Sequence, residues 1–375
     1  VTDKSKPLKG NNQLLDKQVL ILGAGIAGIT SALRLAREEI TVHLVEKESS
    51  PGGWAATYGC KAADVCVKCS VCVVAKKIED FFKNPRIHFH PDSKLVSFEE
   101  RDSGFLAHIS RKEVRTTAPS RAGFRIGADA ILVATGFKPY DALHKGEYGW
   151  QLHPNVITGL EAEQMLLEKG EILKPSDGKP PQKAAFIQCV GSRYAQYDTP
   201  AHIRTYCSTV CCAYALRMAN LLVKRENPAE ATVFYMDLQN YGKGFNTLLE
   251  SCREKVRFIR TIPSEIKGNT NGGLQLTYES PEEGKVVKED FDLVILSIGM
   301  EPRDDASLIA ETLGLNQNEH GFFESIHPDQ TTLTGRKGLF MAGACVSPKT
   351  IAASILEAEK AAGNILKYLG GVTRL

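Results

Sequence analysis

A chain of 375 residues is long enough for two domains, or for one large α/β unit carrying an insertion. With 43% hydrophobic and 24% charged residues and a formal net charge of +2, it lacks the bias that nucleic acid or a charged membrane surface would require. No apolar run approaches the ~20 residues that span a bilayer, and the polar opening "VTDKSKPLKGNNQLLDKQ" has no signal-peptide core. The expected setting is therefore cytoplasmic and reducing, where clustered cysteines point to metal or redox work rather than to structural disulfides.

The first elements form a dinucleotide-binding unit. Val19 to Leu22 read as an apolar strand, and Gly23, Gly25 and Gly28 follow in the pattern G-x-G-x-x-G. Ile26, Ile29, Leu33 and Leu35 then fall at helical spacings, so Ile26 and Ala27 open a helix next to the glycines. The first glycine permits a tight turn, the second lets backbone N–H groups approach a pyrophosphate, and the third allows close helix–strand packing. The helix N-terminus adds unpaired donors and a partial positive charge. Thr41 to Val45 give a second strand ending at Glu46, placed to accept ribose hydroxyls, with Lys47 beside it. Fold logic alone leaves FAD and NAD open. "EKESSPGG", with Gly53 closing its glycine pair, resembles the E-x5-G-G extension of two-dinucleotide flavoproteins. "DAILVATGFKP", with Ala134, Thr135 and Gly136, resembles their strand returning from the FAD domain. These features favour FAD.

Residues 94–111 alternate as a β-hairpin turning at Asp102, Ser103 and Gly104, and a basic Ser/Thr-containing loop follows near 115–123. The Pro/Gly-rich stretch 174–182 reads as a domain boundary. After it, "KAAFIQCVGSR" and "EATVFYMDLQ" open a second Rossmann-like unit that lacks the glycine fingerprint and carries thiols near its place, which argues against a working nicotinamide site. "NGG" at 271–273 turns another hairpin, and "DFDLVILSIGMEPR" is expected to return the chain to the first domain. The fold class is α/β, with two Rossmann-like domains, the second inserted in the first. The discontinuous FAD domain is expected over 1–180 and 289–375, and the inserted domain over 181–288.

The ten cysteines fall into groups. Cys60, Cys66, Cys69 and Cys72 are spaced C-x5-C-x2-C-x2-C, a run that can wrap three corners of a cubane iron–sulfur cluster, with Cys60 supplying the fourth. Zinc also takes four thiolates, but its sites usually come as two separated pairs. A redox dithiol facing the flavin is a third reading, because Cys60 closely follows the glycine pair. Cys189, Cys207, Cys211 and Cys212 are spaced C-x17-C-x3-C-C, which is not a ferredoxin pattern, and the spacing by itself leaves a cluster open. Cys252 shares a helix face with Phe245, Leu248 and Leu249 and reads as core packing. Cys345, in the "AGAC" turn, lies within plausible reach of a flavin or is simply a small buried residue.

"QCVGSR…YCSTVCCAYALRMA", "YMDLQNYGKGF", "VRFIRTIPSEI" and "GLFMAGACVSPKTI" together resemble the A-type subunit of heterodisulfide reductase and its relatives. The resemblance covers nearly the whole chain. It implies an unusually ligated [4Fe–4S] cluster on Cys189, Cys207, Cys211 and Cys212, FAD on the first fingerprint, and no NAD(P)H site. The chain departs from the methanogen form in three ways. It is expected to be a compact form without the added ferredoxin-type domains, it lengthens the gap before Cys207 with "YAQYDTPAHIRT", and it has a richer N-terminal cysteine run. Its compactness and "CVKCSVC" look most like the A-like protein of the sulfur-oxidising heterodisulfide reductase-like complex. That resemblance implies B- and C-type partner subunits, a lipoate-binding protein as sulfur carrier, and a homodimer.

The final segment completes the expected flavin site through Gly343, Ala344, Cys345, Lys349 and Ile351. Related flavoproteins place an acid where Ala344 stands, so a backbone contact is expected to replace it. A helix starting near Pro348 would aim its N-terminus at the flavin pyrimidine, and Lys349 would add positive charge there as the catalytic candidate. A flavin beside a cluster would convert between two-electron and one-electron chemistry. The competing function is a stand-alone flavin disulfide reductase using Cys60 with Cys66, or Cys69 with Cys72. A regulatory iron–sulfur module without flavin is opposed by the intact fingerprint.

Overall fold

A computed structural model describes residues 14, 16–112, 123–193, 204–239, 244–269 and 272–370. Two five-stranded parallel sheets organise them. The first runs in the order Leu339–Met341, Ala130–Val133, Gln18–Leu22, Thr41–Val45, Ile87–His90. Its central strands, "QVLIL" and "AILV", are almost continuously apolar because both faces of the sheet are covered. On one face lie the helix Ile26–Ala36 and the final helix Ile351–Tyr368. They meet through small residues, with Ala32 near Ala358, Ala361 and Ala362, and the Ser31 hydroxyl donates to the Ala358 carbonyl at 3.0 Å. On the other face lies an antiparallel sheet of Ser93–Arg101, Gly104–Arg111 and Phe124–Ala128, seated through Phe105, Ala107, Ile109 and Ile126.

The second sheet repeats this layering. Its order is Val256–Ile259, Glu230–Phe234, Lys183–Val190, Leu293–Ile298, Val156–Thr158. Helices Gly159–Lys169, Cys211–Lys224 and Phe245–Arg253 cover one face, and the meander Glu265–Gly268, Leu274–Ser280, Lys285–Phe291 covers the other. Cys252 is fully buried on the third helix beside Phe245 and Leu248, as its spacing predicts.

The domain limits read from the sequence need correction. Val156–Thr158 and Leu293–Ile298 pair with each other, and the latter pairs with Lys183–Val190, so both belong to the inserted unit. The chain changes domain at a short ribbon in which Lys138–Pro139 pairs antiparallel with Met300–Glu301. The Pro/Gly-rich stretch at 174–182 is a helix-to-strand connection inside the second unit. "LVILSI" was expected to return to the first sheet, yet its apolar character reflects burial in the second. The basic loop expected near 115–123 lies outside the described residues apart from Gly123. Much of the lengthened segment before Cys207 lies outside them too. Among the described residues no helix is long and apolar enough to cross a membrane.

Candidate functional site

The fingerprint loop is built by close approach. Gly23 has φ +104°, and a Cβ there would meet the Ala134 carbonyl oxygen at 2.4 Å. A Cβ on Gly28 would meet the Gly23 carbonyl oxygen at 2.0 Å, so this helix turn packs on the strand only as glycine. Gly25 is different, because a Cβ there would meet nothing within 4 Å. Its open side faces a cleft of about 740 Å³. The second glycine pair is fastened to this loop: the Gly52 N–H donates to the Ala24 carbonyl at 2.7 Å. Glu46 closes the arrangement, its carboxylate accepting from the Ala24 N–H at 2.7 Å and the Glu48 N–H at 3.0 Å. These two bonds fix the acid at the end of the second strand while each oxygen keeps acceptor capacity. The free glycine cradle, the fixed acid and the helix N-terminus fit a dinucleotide.

Of the other residues expected at the dinucleotide, Ile26, Ala27, Lys47, Gly53, Ala134, Thr135, Gly136, Ala344, Lys349 and Ile351 also line this cleft. Gly23, Gly28 and Gly343 act from behind the wall as packing points. Cys345 does not open into the cleft. It is buried, its thiol donates to the carbonyls of Ala342 at 3.2 Å and Val133 at 3.5 Å, and burial pushes its pKa up to about 11.

One expectation at the flavin turn is modified. The final helix begins at Ile351, capped by the Thr350 side chain, which accepts from the Ala353 N–H. Next to Ala344, where related flavoproteins place an acid, the turn is held from behind by a side chain of the final helix. Glu357, on that helix, accepts from the Gly343 N–H at 2.7 Å and from Lys349 Nζ at 2.6 Å. Lys349 and Glu357 are both largely buried, at 11% and 10% side-chain exposure, so the lysine reaches the cleft as half of an ion pair, not as a lone cation. Sequence spacing offered no signal for Glu357.

The second-domain thiols gather beside the same cleft. Cys189 ends a sheet strand, and Cys211 and Cys212 begin the helix Cys211–Lys224; all three are buried. Their thiols lie in one another's field. Burial raises the Cys189 pKa to about 11, with Cys212 and Cys207 adding to it, and burial drives Cys211 well above the ordinary value with the same neighbours contributing. Backbone donors address the sulfurs: the Thr209 N–H reaches Cys207 Sγ at 3.3 Å, and the Gln239 backbone reaches Cys212. Arg193, held by a two-pronged pair with Asp237, points a guanidinium nitrogen at Cys189 Sγ, 4.0 Å away. Four thiols lying in one another's field, with N–H donors and one cation beside them, have the donor chemistry of an iron–sulfur cluster. No group of His, Cys, Asp or Glu that could hold one metal ion occurs among the described residues.

The N-terminal cysteine run behaves differently. Cys60, Cys66 and Cys72 are exposed, and Cys69 alone lines the cleft. The loop leans on the thiol helix of the second domain, where Arg217 Nε donates to the Val67 carbonyl at 3.1 Å and Lys224 pairs with Asp64 at 3.3 Å. Eight described non-glycine residues have positive φ, and five of them (Lys68, Ser70, Cys189, Arg193 and Thr209) sit in the two cysteine segments. Such backbone persists only where the surroundings over-determine it.

Between the two thiol groups the structure adds residues that sequence reading missed. Lys61 and Glu163 form a buried ion pair at 2.5 Å, with 2% and 7% side-chain exposure. Burial raises the Glu163 pKa against the opposing pull of Lys61. Tyr58, Tyr214 and Arg217 complete this end of the cleft. Tyr214 touches the cleft on one side and Cys211 on the other. The segment before the thiol helix is stitched to the first domain's return. Ser208 Oγ accepts from the Met300 N–H at 2.9 Å, Tyr206 donates to the Met300 carbonyl at 2.8 Å, and Thr209 donates to the Pro348 carbonyl at 3.2 Å.

Residues 21–83 match the family described as NAD(P)-binding Rossmann-like domain. The chain is 31% identical over 421 aligned positions to an iron-sulfur A-type subunit of the CoB–CoM heterodisulfide reductase of Methanopyrus kandleri, covering 92% of this chain and 63% of that one. It is 29% identical to the A-type subunit of the H2:CoB-CoM heterodisulfide,ferredoxin reductase of Methanothermobacter marburgensis, covering 95% and 64%. The chain thus spans less than two thirds of these relatives' length. Among solved structures it resembles the thioredoxin reductase of T. acidophilum, with a TM-score of 0.58, 15% identity and coverage of 94% and 98%. It also resembles an NAD-dependent persulfide reductase from A. fulgidus, with a TM-score of 0.55, 19% identity and coverage of 96% and 60%. The fold is that of flavoproteins with two dinucleotide-binding domains.

Proposed function

We propose that this chain, homologous to the A-type subunit of heterodisulfide reductase along nearly its whole length, is an oxidoreductase: the FAD- and [4Fe–4S]-containing electron-transfer component of a heterodisulfide reductase-like complex in sulfur metabolism. One observation carries the reading. The wall of the dinucleotide cleft at Ala213 and Tyr214, and at the N-cap Val210, is formed by the helix that begins with Cys211 and Cys212. A bound flavin exchanges two electrons and a bound cluster one, so the pair interconverts the two kinds of chemistry. The chain's own residues position them. Gly25 leaves room for the pyrophosphate, Glu46 orients the ribose, and the Thr209 and Gln239 N–H groups and Arg193 stabilise thiolate sulfur. Cys189, Cys207, Cys211 and Cys212 are the cluster ligands, and Cys60, Cys66, Cys69 and Cys72 can hold a second. The partners would be B- and C-type subunits and a lipoate-binding sulfur carrier, with the chain a cytoplasmic homodimer of the sulfur-oxidising type.

The placement of Cys69 on the cleft wall favours a second reading, a flavin disulfide reductase with a dithiol in the N-terminal run. Anaerobic purification with flavin, iron and sulfide analysis separates the two. The first reading expects one FAD with about four or eight irons per chain. FAD without iron, bleached by NADPH, would establish the second.

A further inference from the structure

The inter-domain end of the cleft has donors that take no hydrogen-bond acceptor or ion-pair partner among the described residues. Arg217 lines it from the thiol helix, half-buried. Its Nε is committed to the Val67 carbonyl, and among the described residues no carboxylate forms an ion pair with its guanidinium. Desolvation lowers its pKa, so the cation sits where water compensates it poorly. Nearby, Lys61 and Glu163 neutralise each other, so Arg217 carries the remaining formal charge of this end, with Glu163 and the Cys69 and Cys66 thiols in its field. Tyr58 lines the same end, with Lys61 Nζ 5.9 Å from its ring centroid. No hydrogen bond from the Tyr58 hydroxyl to protein occurs among the described residues, although its surroundings are buried enough to raise its pKa. Tyr214 differs, because its hydroxyl donates to the Ile298 carbonyl at 3.4 Å. A guanidinium with free Nη donors and a phenol aimed into one cleft are complementary to an oxyanion, which accepts from both without needing a proton.

We propose that Arg217 and Tyr58 bind the oxyanion of a small substrate that enters between the domains and reaches toward the flavin end of the cleft. The inference rests on the cleft being a flavin site, as argued above. Two sources share this chemistry: a sulfur oxyanion, or the carboxylate of a small organic thiol. The sulfur of either would then face the wall that carries Cys69.

Anaerobic titration calorimetry on the holoprotein, with thiosulfate and with 3-mercaptopropionate as probes, tests this. Saturable binding of at least one probe is expected, and the tighter one names the source. Arg217→Gln should weaken it at least about tenfold, the loss of charge-assisted hydrogen bonds. Tyr58→Phe, which keeps the ring and its packing, should weaken it about threefold or more. FAD and iron content measured on the same samples keep two failures apart. A preparation lacking FAD overturns the flavin reading itself. A preparation with full cofactor content that binds neither probe, or binds equally well after both substitutions, overturns only the anion site. The same holds if Arg217→Gln shifts a cluster EPR signal and leaves probe affinity unchanged, since the arginine would then serve the cysteine loop.

Discussion

At the scale of single residues, the flavin turn shows how a charge beside the cleft is balanced from a distant element. Ala344 stands where related flavoproteins place an acid, and beside it Glu357 enters from the final helix to take both the Gly343 N–H and the Lys349 ammonium. The charge beside the cleft is a balanced pair, so removing either member should move a bound flavin in opposite directions. Glu357→Gln leaves Lys349 unneutralised, favours the anionic reduced flavin and should raise its midpoint potential. Lys349→Ala leaves a carboxylate and should lower it. A largely buried charge beside the cleft gives ~20–60 mV, the two-electron equivalent of about 1–3 kcal/mol. Dye-coupled potentiometry reads both variants, and shifts of the same sign would reject the pairing as the controlling feature. The lysine was legible because it follows a recognisable turn. The glutamate was not, because its partner relation exists only once the helix docks.

At the scale of elements, the strand–helix–strand opening was fully legible, since its glycines, apolar run and terminal acid are contiguous. The inserted domain's limits were not. Val156–Thr158 is three residues long and shows no alternation, and the Pro/Gly stretch after its helix imitates a linker. Another relation invisible in sequence lies on the first sheet. His43 faces His88 and His90 of the neighbouring edge strand, with ring centroids 5.1 Å and 5.4 Å apart, and His43 Nδ1 stands 3.2 Å from His90 Nε2. Gln18 holds the other ring nitrogen of His43, Phe124 packs on His90, and Arg111 adds to the positive field at His90. Burial, then His90 and His88, lower the His43 pKa to about 4. The folded state therefore keeps this imidazole neutral, whereas the unfolded chain takes up the proton near pH 6.5. The contribution to stability is intact above about pH 6.5 and is lost as pH falls toward 4. Thermal unfolding should show a loss of about 1–3 kcal/mol across that window, and His43→Gln should flatten it. An unchanged pH profile in the variant would remove His43 as the cause.

At the scale of the whole molecule, each sheet closes its own core, and the thiols belong to one of them. Cys212→Ser should therefore abolish or sharply reduce cluster iron while FAD stays near one per chain. Concurrent loss of both would mean that the first domain cannot hold its dinucleotide without the second. The spacing of the paired cysteines left a cluster open, and only the family resemblance pointed to one. The buried Lys61–Glu163 pair and Arg217 were unreadable, because their neighbours are separated by a hundred residues or more and meet only where the domains touch.

The short ribbon at 138–139 and 300–301 could have served as a pivot. The bonds from Tyr206, Ser208 and Thr209 to Met300 and Pro348, with Arg204 paired to Glu301 at 2.9 Å, cross beside it. Three of them brace the ribbon from the thiol segment, and the Thr209–Pro348 bond ties that segment to the turn before the final helix. The crossover is thus clamped from both sides, and the same short segment that fastens it also carries Cys207 into the thiol group.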